Sequence, residues 1–113
     1  MEKRFLLSQN ELKIPCVLSC PDGGDVRRIV LGVHGFGGSA RDAIQENIAE
    51  EMGLFGSATV RFDFPAHGSS TLDSNFLTLK HCVDTLLAVA RKAKADYPQV
   101  ENLCIFATGF GAY

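Results

Sequence analysis

No stretch of this 113-residue sequence offers the roughly 20 consecutive apolar residues of a membrane-spanning helix. Its start, MEKRFLLSQNE, has a basic pair but an apolar core of only Phe5-Leu6-Leu7, too short for a secretory leader. A cytoplasmic location is therefore expected. The sequence also lacks a basic stripe for nucleic acid and an acidic tail: 11 Lys and Arg are interspersed with 13 Asp and Glu, for a net charge of −2. It lacks repeats, linkers and low-complexity segments. It lacks the close pairs of metal ligands that define a zinc site, because Cys16 and Cys20 lie four apart in one apparent strand and Cys82 and Cys104 stand alone. All four cysteines read as reduced, small core residues, with Cys104 inside a strand and not a nucleophile. No metal and no cofactor is expected.

What is present is a core-forming pattern. Hydrophobic residues make up 46% of the chain and mean hydropathy is +0.08, as in a globular segment of at most one domain. Residues 3–8 and 12–20 read as two strands, the second placed near an edge by Pro15. Pro21-Asp22-Gly23-Gly24-Asp25 is a turn signal. Arg28–Val33 is a nearly continuous apolar run, as in a parallel strand buried on both faces. Ser39 is placed to cap a helix to about Met52, with Ala40, Ile44, Ile48 and Met52 on its inner face. Ala58–Phe64 is the next strand. Thr78 caps a second helix whose stripe is Leu79, Val83, Leu86, Ala90 and Ala93, and Tyr97-Pro98 stops it. Leu103–Ala107 is the last strand. The order ββ-βα-βα-β implies right-handed crossovers and a parallel sheet after an antiparallel lead-in.

Three loops follow the parallel strands, at the ends where open α/β sheets bind ligands. The first, His34-Gly35-Phe36-Gly37-Gly38-Ser39, reads three ways when taken alone. It fits G-x-G-x-x-A, the dinucleotide fingerprint. It fits a phosphate loop except that Gly38 stands where Lys is needed. It also fits an oxyanion loop whose backbone N–H groups face a developing negative charge. The second loop separates these readings. Arg61-Phe62-Asp63-Phe64-Pro65-Ala66-His67-Gly68-Ser69-Ser70 is similar to the R-x-D-x-x-G-x-G-x-S segment of many α/β-hydrolases, with Ala66 for its first Gly. The third, Ala107-Thr108-Gly109-Phe110-Gly111, resembles their nucleophile elbow, G-x-S-x-G, with Gly109 at the apex where Ser should stand.

The chain thus resembles the N-terminal half of an α/β-hydrolase of the acyl-esterase, monoacylglycerol-lipase or serine-aminopeptidase-like branch. The fold class implied is α/β: a truncated α/β-hydrolase fold with antiparallel lead-in strands, a mainly parallel sheet and two crossover helices. Residues 1–113 would form part of one domain ending at the elbow, with Arg28–Val33 between the other two parallel strands. The resemblance implies hydrolysis of an ester, amide or acyl thioester through an acyl-enzyme. It places the nucleophile position at Gly109, the oxyanion-hole backbone at Phe36 and Phe110, and a supporting loop at His34 and Gly35. The family's acid and His follow the elbow, beyond Tyr113.

The expected partner is a small-molecule acyl substrate if the chain is part of a complete enzyme. With no side chain at Gly109, no triad-dependent turnover is expected of the chain itself. Gly there relieves the strain that an elbow imposes on a residue with a Cβ, about 1–3 kcal/mol. The alternatives are a non-catalytic interaction module, or half of a complemented enzyme that self-associates or pairs through its last strand. His67 and His81 read as structural, and Asp63 as an anchor accepting backbone N–H bonds in its own loop.

Overall fold

A computed structural model describes residues 2–21, 25–35 and 37–108. The chain opens with a hairpin of β1 (Glu2–Gln9) and β2 (Leu12–Ser19), in register from Glu2 opposite Ser19 to Gln9 opposite Leu12. Asn10 takes the left-handed φ of 54° that its tight turn needs, a conformation Asn tolerates better than most residues. Then come β3 (Arg28–Val33), α1 (Ala43–Gly53), β4 (Ser57–Phe62), a short 3-10 turn at Ser74–Phe76, α2 (Leu79–Asp96) and β5 (Leu103–Ala107). The five strands form one mixed sheet in the order β1-β2-β4-β3-β5. β2 pairs antiparallel with β4, whereas β3 lies parallel to β4 on one side and β5 on the other, as expected.

Strand alternation divides the sheet into two unlike faces. One presents Leu12, Ile14, Cys16, Ile29, Leu31, Val33, Val60 and Phe62. With Cys82, Ala88, Val89 and Ala93 of α2 they form a continuous apolar core. The other, toward α1, presents Val30, Gly32, Ser57, Thr59 and Arg61, and its polar members are buried. Burial of Cys16 and Cys82 pushes both thiols above their ordinary value, Cys16 to about 12 with a further contribution from Asp63.

Several local expectations are corrected. Pro15 does not mark an edge: β2 is an interior strand. Pro15 is tolerated because the ladder to β4 starts one residue later, at Cys16 opposite Phe62. α1 begins at Ala43, with Asp42 at its N-cap and no side-chain cap; Ser39 Oγ instead accepts from the Arg41 N–H, 3.1 Å away. Ala40 lies before the helix, its N–H and carbonyl held by the loop after β4 and by β4, as described below. The buried residues of α1 are Gln45 and Ala49, while Ile44 is 52% exposed. On α2, Thr78 caps as expected, its side chain accepting from His81 N–H. The buried residues are Cys82, Thr85, Ala88, Val89 and Ala93: Ala93 is buried as expected, whereas Cys82, Thr85 and Val89 lie one residue, or about 100° around the helix, from the expected Val83, Leu86 and Ala90. Leu79 and Val83 are exposed, and Leu86 and Ala90 flank the core. Cys104 is exposed and not core, because β5 is an edge strand with no described element packed over it.

Candidate active site

The three parallel strands end level. Val33 is in register with Phe62 of β4 and with Ala107 of β5, so all three loops leave one end of the sheet. The backbone continues this alignment, with Thr108 N–H donating to the Val33 carbonyl at 3.1 Å. The entry to the elbow thus lies beside the start of the first loop. Phe36, Gly109 and Phe110, the expected oxyanion and apex positions, fall outside the described residues. His34, Gly35, Gly37 and the loop after β4 are described, and they form a tied frame.

Asp63 is the centre of that frame. One carboxylate oxygen accepts from Ala40 N–H at 2.8 Å and the other from Ser69 N–H at 2.9 Å. A single ionised side chain therefore holds the first loop and its own loop together with charge-assisted hydrogen bonds. Gly68 makes this possible: its φ is +52°, and a Cβ there would sit 2.5 Å from the Asp63 carboxylate. Ala66, standing where the motif has Gly, adopts a φ of 65°, a left-handed conformation that costs a residue with a Cβ about 1–2 kcal/mol.

His34 is fully buried. Its Nδ1 lies 2.7 Å from the Gly35 carbonyl and its Nε2 accepts from Phe64 N–H at 3.1 Å. The Gly35 carbonyl also accepts from Gly38 N–H at 2.9 Å, so the peptide after Gly35 is held from two sides. Burial holds His34 below the ordinary histidine value, against the Gly35 carbonyl bond, with His67 adding to the depression and Asp63 and Asp42 opposing it. His67 crosses back: its Nε2 accepts from Gly37 N–H at 2.9 Å, and its Nδ1 lies 2.9 Å from the Pro65 carbonyl. Gly37 takes the φ of +82° that this turn requires.

Beneath the loops, Arg61 and Gln45 carry the polar load. Arg61 is 1% exposed; its two terminal nitrogens donate to the Ala40 carbonyl at 2.9 Å and to Glu2 at 3.2 Å. Gln45 donates from Nε2 to the Val33 carbonyl at 3.2 Å. Its side chain fits because β3 has Gly32 there, where a Cβ would stand 2.4 Å from Gln45 Oε1. His67 is structural, as expected, although its bond to Gly37 gave no sequence signal; the roles of Arg61 and Gln45 were not read from the sequence. Arg61 was visible as the first residue of R-x-D, and alternation put it on Asp63's face. Gln45 gave no signal beyond its position. His81 stays apart from this frame, its Nδ1 3.0 Å from the Phe76 carbonyl at the start of α2. Among the described residues no three His, Cys, Asp or Glu side chains are grouped to hold a metal ion. No helix among them is long and apolar enough to cross a membrane.

Strand order, level strand ends and loop positions define the fold of the α/β-hydrolases. Solved structures agree. The chain superposes with a TM-score of 0.86 on Est1E from Butyrivibrio proteoclasticus, a structure with ferulic acid bound, at 23% identity over 95% of this chain and 43% of that one. It superposes at 0.85 on a cold-adapted esterase from an Arctic intertidal metagenomic library, at 21% identity over 97% and 51% of the two chains. A serine hydrolase homologue from Coxiella burnetii gives 0.81, at 21% identity over 98% and 53%. The chain spans about half the length of these proteins. No protein-family model and no curated protein matches it.

Proposed function

We propose that this chain provides the oxyanion-loop side of an ester-hydrolysing site and that, with Gly109 at the nucleophile position, it carries no acyl-enzyme chemistry of its own. The observation that carries the reading is the level ending of β3, β4 and β5, which brings the His34–Gly35 loop, the Asp63–Ser70 loop and the approach to Gly109 to one end of the sheet. An acyl ester is the substrate class, by likeness to neighbours whose names call them esterases. Phe36 and Phe110 are the backbone donors in this proposal, with His34 and Gly35 supporting the first. The chemistry needs a hydroxyl at the apex and a base to take its proton. Neither loop histidine is free to be that base, because Nε2 of each already accepts a backbone N–H.

The test is labelling with a fluorophosphonate probe and hydrolysis of short p-nitrophenyl esters. The unmodified chain gives neither above a Gly109→Ala control, and Gly109→Ser alone restores neither. Stoichiometric labelling of the unmodified chain would overturn the reading.

A second reading has its own observation. Among the described residues β5 pairs with β3 alone, and Leu103 and Ile105 are 40% and 56% exposed on it. An apolar open edge of this kind recruits a further strand. The chain on this reading is an interaction module, joined through β5 to a second copy or to a complementing C-terminal segment. Sedimentation of the same preparation as a monomer, with strongly protected amides throughout Leu103–Ala107, would remove that reading.

A further inference from the structure

The two loop histidines are tied reciprocally. His67, in the second loop, accepts the N–H of Gly37 in the first; His34, at the head of the first, accepts the N–H of Phe64 in the second. Each ring has its Nδ1 within hydrogen-bond distance of a carbonyl, Pro65 for His67 and Gly35 for His34. A carbonyl only accepts and a backbone N–H only donates. The proton of each ring is therefore assigned to Nδ1, Nε2 is bare, and both rings are neutral. The ring centroids are 4.9 Å apart.

We propose that His67 is a positioning residue for the turn that carries Gly37, and that the His34–His67 pair is a clasp between the two loops released by acid. The proposal rests on the esterase-site reading only in naming that turn the oxyanion loop. A proton from solvent on Nε2 of His67 converts an acceptor into a donor facing the N–H of Gly37, and that bond is lost. The same event at His34 frees Phe64. His34 is wholly buried, whereas His67 is 9% exposed and so nearer solvent. A cation on either ring opposes a second one on the ring beside it. Asp63 and Asp42 favour charge on His34, but burial outweighs them and keeps its value depressed. A depressed histidine contributes stability above its ordinary value near pH 6.5, and that contribution falls away as pH drops through and below it. The clasp is thus closed at neutral pH and opens toward acid.

Imidazole nitrogen NMR and amide exchange on the 113-residue chain test this. At about pH 7.5 both rings show the Nδ1–H tautomer; toward about pH 5 the amides of Gly37 and Phe64 lose roughly tenfold in protection beyond the intrinsic pH dependence, while that of Leu31 does not. His67→Gln offers an acceptor that does not titrate, and with it Gly37 protection stays level across the range. Unchanged Gly37 protection while the His67 ring takes up its proton would overturn the clasp. So would the same acid release of Gly37 in His67→Gln. Should that variant not fold, the ring-nitrogen shifts and Gly37 amide of the unmodified chain decide alone. The readout is loop protection and not hydrolysis, so a failure of the clasp is distinguishable from a failure of the esterase reading.

Discussion

The two faces of the sheet do different work. The α2 face is mostly hydrocarbon and sulfur, from Leu12 and Ile14 through Leu31 and Phe62 to Val89, with Thr85 as a buried hydroxyl. The α1 face buries Thr59, Arg61 and Gln45. Among the described residues, Ser57 Oγ, Thr59 Oγ1, Gln45 Oε1 and Arg61 Nε have no hydrogen-bond partner. Buried polar atoms without partners cost stability, and an apolar face of the same shape would cost less. What the polar face gives is position: Arg61 holds the Ala40 carbonyl and Gln45 the Val33 carbonyl, at the roots of the loops. One face stabilises the sheet, and the other fixes where its loops leave.

Substitutions on each face should separate these roles. The largest effect is expected from Phe62→Ala. Phe62 is fully buried in the apolar core and packs edge-on to Phe64 at 5.3 Å. Its truncation should cost about 3–5 kcal/mol in urea unfolding, and a loss below about 1 kcal/mol would mean the α2 face is not the main source of stability. Arg61→Met should cost less, about 1–2 kcal/mol, because one buried cation and its unpartnered Nε are removed together with its hydrogen bonds to Ala40, Glu2 and Ser19. Its distinctive readout is local: faster amide exchange at Ala40 and Arg41, with β3 unchanged. Uniform loss of protection would erase the distinction between the faces.

Ala66→Gly should have the smallest effect and the opposite sign. Relief of the left-handed φ of 65° outweighs the added freedom of the unfolded chain, for a gain of roughly 0.5–1 kcal/mol. A thermal midpoint that falls would show that Ala66 contributes through contacts and not through backbone strain.

Some of this was legible in the residues. The short apolar runs at Arg28–Val33 and Leu103–Ala107, rich in β-branched and aliphatic residues and too short for helices, mark strands. Asp63 was legible as an anchor, because a carboxylate inside a turn-rich loop has backbone N–H groups within reach. The level strand ends follow from three loops sharing one topology. Ser39 was misread as a cap because the pattern S-x-x-D is local, whereas the bonds that hold Ala40 come from Arg61 and Asp63, more than twenty residues away.

The sequence by itself determined the kinds of element, their order, and the three loops that make the hydrolase-like end of the sheet. Periodicity can do that, since it reports which residues share a face. It does not report which face finds a partner, because burial belongs to a pair of surfaces. Tertiary structure therefore decided that Cys82, Thr85, Val89 and Ala93 meet the sheet while Leu79 and Val83 do not. It made Gln45 a core residue over Gly32, and left Cys104 exposed at the edge. It also joined His34 and His67, 33 positions apart in sequence, into one hydrogen-bonded frame, since only the folded sheet brings the ends of β3 and β4 together.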